Sequence, residues 1–340
     1  MQFVDEHKDE HGVEPIIDAL EGTCAQIAPS TYYAARSRPA SARAVRDVAT
    51  MARIRQVHAK NYHVYGARKV WKDLARERDS RVRAIAVAVP STVAQAVVAL
   101  PDPVVVPPPV ARCTVERLMR AAGLRGACKA KGPRTTKPAP ETDRPGDRVH
   151  RDFTAMAPNR LWVADITYVR TCSGWVYTAF VMDMFSRRIT GWQVSTSLHT
   201  DLAYDALEMG LWQQDRAGRD VTGLTHHSDR GVQYRAIRYT DRLDEVEAVA
   251  SVGTKGDSYD NAAAEALNST FKAELIRNRN ILADKGPWKS IDDVELAVAE
   301  WVDWYNTSRL HGSIGDIPPA EYEQAYYAEH SSAELVGATP

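Results

Sequence analysis

LWVADITYVRTCSGWVYTAFVMDMFSRRITGWQVS, residues 161–195, decides the fold. Its segments LWVADITYVR, GWVYTAFVMDM and RRITGWQVS have the Val, Ile, Thr, Trp and Tyr content of strands, with turn signals at Ser173-Gly174 and Ser186. Three consecutive hairpin-linked strands follow. Downstream, patterning predicts a helix over residues 200–214, a short apolar strand over 223–227, a helix over 234–243 and a short strand over 249–252. Helices over 261–278 and 291–308 complete the order βββαβαβαα, an α/β layer architecture.

Upstream the texture is different. Apolar periodicity predicts helices over residues 44–59, 67–78 and 114–122, the last with Thr114 as N-cap, and such short basic helices suit a helix-turn-helix arrangement as well as other small bundles. The stretch RAIAVAVPSTVAQAVVALPDPVVVPPP, within residues 82–109, has no charge from Ala84 to Pro101 and is broken by proline. It reads as an irregular insertion and not as the run of about 20 apolar residues that a membrane span needs. KAKGPRTTKPAPETDRPGDRVHR, residues 129–151, has little to bury and reads as an extended linker able to track a DNA backbone, with a domain boundary near residue 155.

The chain of 340 residues, 44% apolar and 26% charged, is long enough for a sizeable core and about two domains. The opening MQFVDEHKDEHG lacks the basic start and apolar run of a secretory signal, so the cytoplasm is expected. Cys24, Cys113, Cys128 and Cys172 form no CxxC pair and read as reduced thiols; His7 and His11 read as a solvated helix face, since only Cys24 lies near them. The net charge of −1 conceals an asymmetry. Residues 31–78 hold twelve Lys/Arg against three acids, and residues 111–151 hold eleven against four. That density suits either a solvated surface or salt-sensitive binding of nucleic acid through counterion release.

Three carboxylates stand out. Asp165 lies within the first strand, where alternation puts Val163, Asp165, Thr167 and Val169 on one face. There it is either an edge acid facing water or a carboxylate paired or bound to a metal. Asp229 ends the strand in LTHHSDRGVQY, as a turn former or as a ligand at a strand's carboxyl end. Glu265 lies in DSYDNAAAEALNSTFKAEL, where Asp260 is the expected N-cap and Asn261, Glu265, Asn268 and Lys272 share one helical face, solvated or functional. Carboxylates from two strands and a helix can converge without being close in sequence. Such hard oxygen donors suit magnesium or manganese, and two such ions would serve phosphoryl transfer on nucleic acid. Trp301, Trp304 and Tyr305 have the spacing of a buried helix face, with base stacking as the alternative. Asp183, His226 and His227 read as scaffold, with His227 also able to orient a phosphate.

LWVADITYV, HHSDRGVQY and DSYDNAAAEALNSTFKAEL resemble the three acidic motifs of OrfB-type DDE transposases of a bacterial insertion-sequence family, whose catalytic core is similar to that of retroviral integrases. Thirty-five residues, 230–264, separate Asp229 from Glu265, and Lys272 matches a basic position seven residues after the glutamate. YGARKVW (65–71), VARCTVERLMRAAGLRG (110–126) and WVDWYNTSRLHGSIGDIPPAEYE (301–323) extend the likeness over nearly the whole chain.

The resemblance implies a ribonuclease-H-like core, a mixed five-stranded sheet flanked by helices, over residues 159–323. Before it would come a helical DNA-binding region (1–126) and a basic Pro-rich linker (127–158), and after it a tail (324–340). Asp165, Asp229 and Glu265 would be the catalytic and metal-binding residues, holding two Mg2+ or Mn2+ ions. Lys272, with Arg68, Lys69, Arg117 and Arg120 of the basic region, would contact DNA. The implied activity is cleavage at the inverted-repeat ends of an element, releasing 3′-hydroxyls that attack target DNA. Its implied partners are those DNAs, further copies of the chain on DNA, and an upstream-frame helix-turn-helix protein or fusion; its implied place is the nucleoid. The insertion at 82–109 motivates an alternative, an impaired or truncated transposase acting as a DNA-binding or regulatory module. A nuclease of the same superfamily is a third reading.

Overall fold

The computed structural model describes residues 1–88, 106–128, 155–228, 232–252 and 262–337. Compactness divides the chain into residues 1–53 and 54–340. The first unit holds α1 (Gln2–His11), α2 (Val13–Ala19), α3 (Pro29–Ser37) and the start of α4 (Ala42–Lys60). Its core is small: Val4, Ile16, Ile17 and Tyr32. The Tyr32 hydroxyl donates to Asp5 at 2.8 Å, and Arg36 pairs with the same carboxylate.

In the second unit α5 spans Ala67–Ala88 and α6 spans Arg112–Ala121. The helix expected to stop near Arg78 therefore runs ten residues further, and residues 82–88 of the expected irregular insertion are helical. Arg-Val-Arg-Ala-Ile-Ala-Val-Ala contains no breaker, and the first proline is Pro90. Residues 89–105 of that insertion and the basic stretch 129–151 lie outside the described residues. Thr114 is not the N-cap of α6: the extended residue is Ala111, whose carbonyl accepts from the amides of Thr114 and Val115. The apolar stripe Val115, Leu118 and Met119, buried as α6 packs on α5, sets the helix one turn earlier.

The sheet forms as the patterning requires. β1 (Leu161–Thr171), β2 (Gly174–Asp183) and β3 (Ile189–Ser195) are antiparallel neighbours. The crossover α7 (Thr200–Arg216) leads to β4 (Thr225–Ser228), and α8 (Ile237–Glu245) leads to β5 (Val249–Val252). β4 pairs parallel with β1, and β5 with β4, giving the order β3-β2-β1-β4-β5. On one face Trp162, Ala164, Ala179 and Val181 are covered by Leu202, Ala203, Ala206 and Leu207 of α7 and by Tyr239 and Leu243 of α8. The approach of α7 is so close that a Cβ on Gly191 would lie 1.9 Å from the Ala206 carbonyl oxygen. Only glycine fits there.

The opposite face is covered by α9 (Ala262–Phe271), which continues as a π-helical turn (Lys272–Ile276), and by α11 (Ile291–Thr307), with α10 (Arg279–Lys285) between them. Phe180 of β2 meets Phe271 at 5.1 Å and Trp301 at 6.1 Å, ring centre to ring centre. Val294, Ala297, Val298, Trp301 and Tyr305 recur at i, i+3, i+4, i+7 and i+11, all buried, so core packing is the role of Trp301 and Tyr305. Residues 324–337 of the expected tail belong to α12 (Pro319–Gly337), in which the buried Glu323 pairs with Arg188 at 2.5 Å and Arg219 at 3.0 Å. α5, and Asn61 ahead of it, are tied to this end of the unit. Arg68 reaches Asp316 at 2.8 Å, Arg76 reaches Glu321 at 2.5 Å, and Trp304 donates its indole N–H to Asn61 at 3.1 Å. Among the described residues no helix is long and apolar enough to cross a membrane.

Candidate active site

Asp165 pairs across the sheet with Phe180, which puts it on the face that α9 covers. It is half-buried. Its Oδ1 accepts from the Ile166 amide at 2.9 Å, and its Oδ2 accepts from Asn268 Nδ2 at 2.8 Å. Asn268 is itself buried, and its Oδ1 has no hydrogen-bond partner among the described residues. Glu265 precedes Asn268 by three positions in the first turn of α9, so the two share a helical face; Glu265 is exposed. The polar stripe of α9 thus turns toward the acid of β1 at Asn268.

One turn further on, Lys272 places its ammonium 4.3 Å from the centre of the Tyr168 ring. Burial, helped by Arg277, pushes this lysine below its ordinary value, while Asp165 acts in the opposite sense. Asp229 follows Ser228, the last residue of β4, and lies outside the described residues. Ser228 pairs with Ala164, the neighbour of Asp165. Among the described residues no three His, Cys, Asp or Glu side chains gather tightly enough to hold a metal. What is gathered is a set of hard oxygens: the Asp165 carboxylate, and the orphaned Asn268 carbonyl one helical turn from Glu265. Such donors fit magnesium or manganese and not a thiophilic ion.

The Integrase core domain family matches residues 155–258, and a second family of that description matches residues 249–319. A Shigella sonnei protein named as the transposase for insertion sequence element IS629 is 42% identical over 340 residues, covering 98% of this chain and 99% of that protein. A Mycobacterium tuberculosis protein whose name assigns it to insertion sequence element IS986/IS6110 is 46% identical over 304 residues, 89% of this chain and 97% of its own length. The chain belongs to the insertion-sequence transposases. Among solved structures, an HTLV-2 integrase catalytic core domain in complex with magnesium matches at 14% identity and TM-score 0.38, over 49% of this chain and 98% of that one.

The other residues singled out in this transposase fall in three places. Arg68 and Lys69 line a cavity of about 520 Å³ with Arg112, Glu116, Glu274 and Arg309. Arg68 is held by Asp316, whereas the Lys69 ammonium, 5.2 Å from the Tyr65 ring, is pushed down to about 8, mainly by burial. Glu274 and Arg309 form a buried two-pronged pair at 2.6 and 2.7 Å. Arg117 and Arg120 are exposed on α6, opposite its buried stripe. Asp183, His226 and His227 occupy scaffold positions. Asp183 accepts from the Asn159 amide and from the amide and hydroxyl of Ser186, although burial pushes its carboxyl up. His226 contacts the Tyr239 hydroxyl at 3.1 Å and is pushed down to about 4 by burial; His227 Nδ1 lies 3.0 Å from Ser251 Oγ.

Asn268 as the partner of Asp165 escaped sequence reasoning, although its place three residues after Glu265 was a usable signal. Tyr168 and Trp175 escaped it as well. Tyr168 continues the even-numbered alternation of β1 and Trp175 the odd-numbered alternation of β2 out of the core, where an aromatic residue has no packing reason to be.

Proposed function

We propose that this transposase cuts phosphodiester bonds at the ends of its element and joins the freed 3′-hydroxyls to target DNA, with Asp165, Asp229 and Glu265 as the catalytic acids. The observation that carries the reading is the 2.8 Å bond from Asn268 to Asp165, which sets the α9 face bearing Glu265 against the acid of β1. Pairing of Ser228 with Ala164 supports Asp229 as the third member, since it is the next residue in the chain. The three carboxylates would hold the divalent ions, magnesium or manganese and two in number, which supply positive charge to the attacking and departing oxygens of the phosphodiester.

The remaining roles belong to the protein. Asn268 fixes one carboxylate oxygen of Asp165 and so orients the other. Lys272 offers its charge to the DNA backbone beside the acids, and Arg68, Lys69, Arg117 and Arg120 extend the grip along it. In the first step water adds to phosphorus, the bond to the 3′-oxygen breaks, and that oxygen leaves as a hydroxyl. In the second this hydroxyl adds to a target phosphorus and displaces a target 3′-oxygen. No side chain becomes bonded to DNA, so no nucleophilic serine or tyrosine is needed. Residues 1–126 with the basic stretch 127–158 would bind the inverted-repeat ends, with further copies of the chain, on the nucleoid. An upstream-frame helix-turn-helix protein would assist.

Asp165→Asn, Asp229→Asn and Glu265→Gln should each abolish strand transfer in a magnesium assay with labelled DNA ends while leaving retention of that DNA on the protein largely intact. Joining at the wild-type rate by any of the three would overturn the assignment.

A further inference from the structure

The β1–β2 hairpin carries a surface that none of the roles above uses. Tyr168 and Trp175 are 58% and 46% exposed, and their rings meet edge to face at 5.3 Å. Register explains the arrangement. Tyr168 pairs with Tyr177 and Arg170 with Trp175, so the two rings are diagonal neighbours on one face of the hairpin. Each ring carries a cation, Lys272 at 4.3 Å from Tyr168 and Arg170 at 5.1 Å from Trp175. The rings border a cleft of about 470 Å³ whose charged lining residues are Arg170, Lys272 and Arg277, with no carboxylate among them. Tyr168 is three residues beyond Asp165 on the same strand, about 10 Å along the backbone at roughly 3.3 Å per residue; alternation turns it to the other face, and Lys272, from the helix that covers Asp165, reaches its ring.

Resting on the transposase reading, we propose that this hairpin is a stacking platform for unpaired nucleobases of the DNA strand being processed, so that the duplex is opened next to the acids. The charge of the cleft selects a polyanion. Cations alone would serve a paired backbone, but a duplex keeps its base faces covered; two exposed rings beside that backbone path fit only a strand whose bases are free to stack. Stacking of this kind tolerates any sequence, since every base has a π-face. The platform therefore recognises the unpaired state and leaves choice of sequence to the rest of the protein.

The test uses the full chain and binding without catalysis, in the absence of divalent metal. Affinities are measured for a blunt duplex and for the same duplex carrying a short single-stranded end. Wild type should prefer the unpaired end by about 5- to 150-fold, the range that stacking of one base produces. Trp175→Ala and Tyr168→Ala should lose most of that preference while keeping their melting temperature and blunt-duplex affinity, and Trp175→Phe should retain it. Equal affinity of wild type for the two DNAs, or alanine variants that keep the full preference, would overturn the platform. The two readings fail differently: cleavage and joining by wild type with no discrimination in binding sinks the platform alone, whereas a chain that holds neither DNA sinks both.

Discussion

Replacing Asn268 by leucine separates a residue that positions the site from one that merely fills space. The side chain donates one hydrogen bond, 2.8 Å long, to the Asp165 carboxylate, and its own carbonyl oxygen is buried without a partner among the described residues. A bond to an ionised group is worth about 1.5–3 kcal/mol. If that orientation is needed in the transition state, its loss slows end cleavage by roughly 10- to 150-fold. Stability should move little, because the same substitution removes an unsatisfied buried carbonyl, whose desolvation costs about 1–3 kcal/mol. The assay is single-turnover cleavage of a labelled DNA end across a magnesium titration, with thermal melting alongside. The expected result is a slower rate, a higher magnesium requirement and an unchanged melt. Cleavage by Asn268→Leu at the wild-type rate and magnesium requirement would refute the reasoning, and a large drop in melting temperature would show the residue to be structural.

Two further outcomes follow from buried charge. Glu274→Ala strands Arg309 inside the protein without its two-pronged partner and should destabilise the second unit by about 3–5 kcal/mol in denaturant titration, whereas Glu274→Ala with Arg309→Met should recover part of the loss. Lys69, held at about 8 in the folded chain against its ordinary 10.5, binds fewer protons folded than unfolded between those values. Wild-type stability relative to Lys69→Met should therefore rise from about pH 8 to 10.5 and be flat below, as measured by denaturant titration at each pH.

The sheet was legible because β1, β2 and β3 are rich in Val, Ile, Thr, Trp and Tyr and are separated by clear turn residues, so composition and turn signals agree although both faces are buried over much of their length. The limits of α1, α2 and α3 were not, since the core they share is only four residues and leaves almost no apolar stripe to read. Helix limits were the weakest part. Val115, Leu118 and Met119 fix α6 through packing on α5, which no local cap signal reports. At the candidate site, the three acids were singled out by motif, but whether the polar stripe of α9 met water or β1 depended on a contact between residues 103 positions apart. Similarly, a count of basic residues takes no account of what holds each side chain. Arg68 is bound to Asp316, 248 positions away, and only three-dimensional proximity reveals that.

The way Asn61 and α5 are fastened to Trp304, Asp316 and Glu321 bears on how such a gene can be shuffled. The break in composition at residues 129–151 looks like a natural crossover point for recombination between related elements, yet an exchange there would pair one parent's Arg68, Arg76 and Asn61 with the other parent's Trp304, Asp316 and Glu321. Chimeras joined near Arg53, where the compact units divide, keep those pairs in a single parent. Successful hybrids should thus inherit the front helices α5 and α6 together with the sheet, and interchangeable modules in this protein follow the packing and not the proline content.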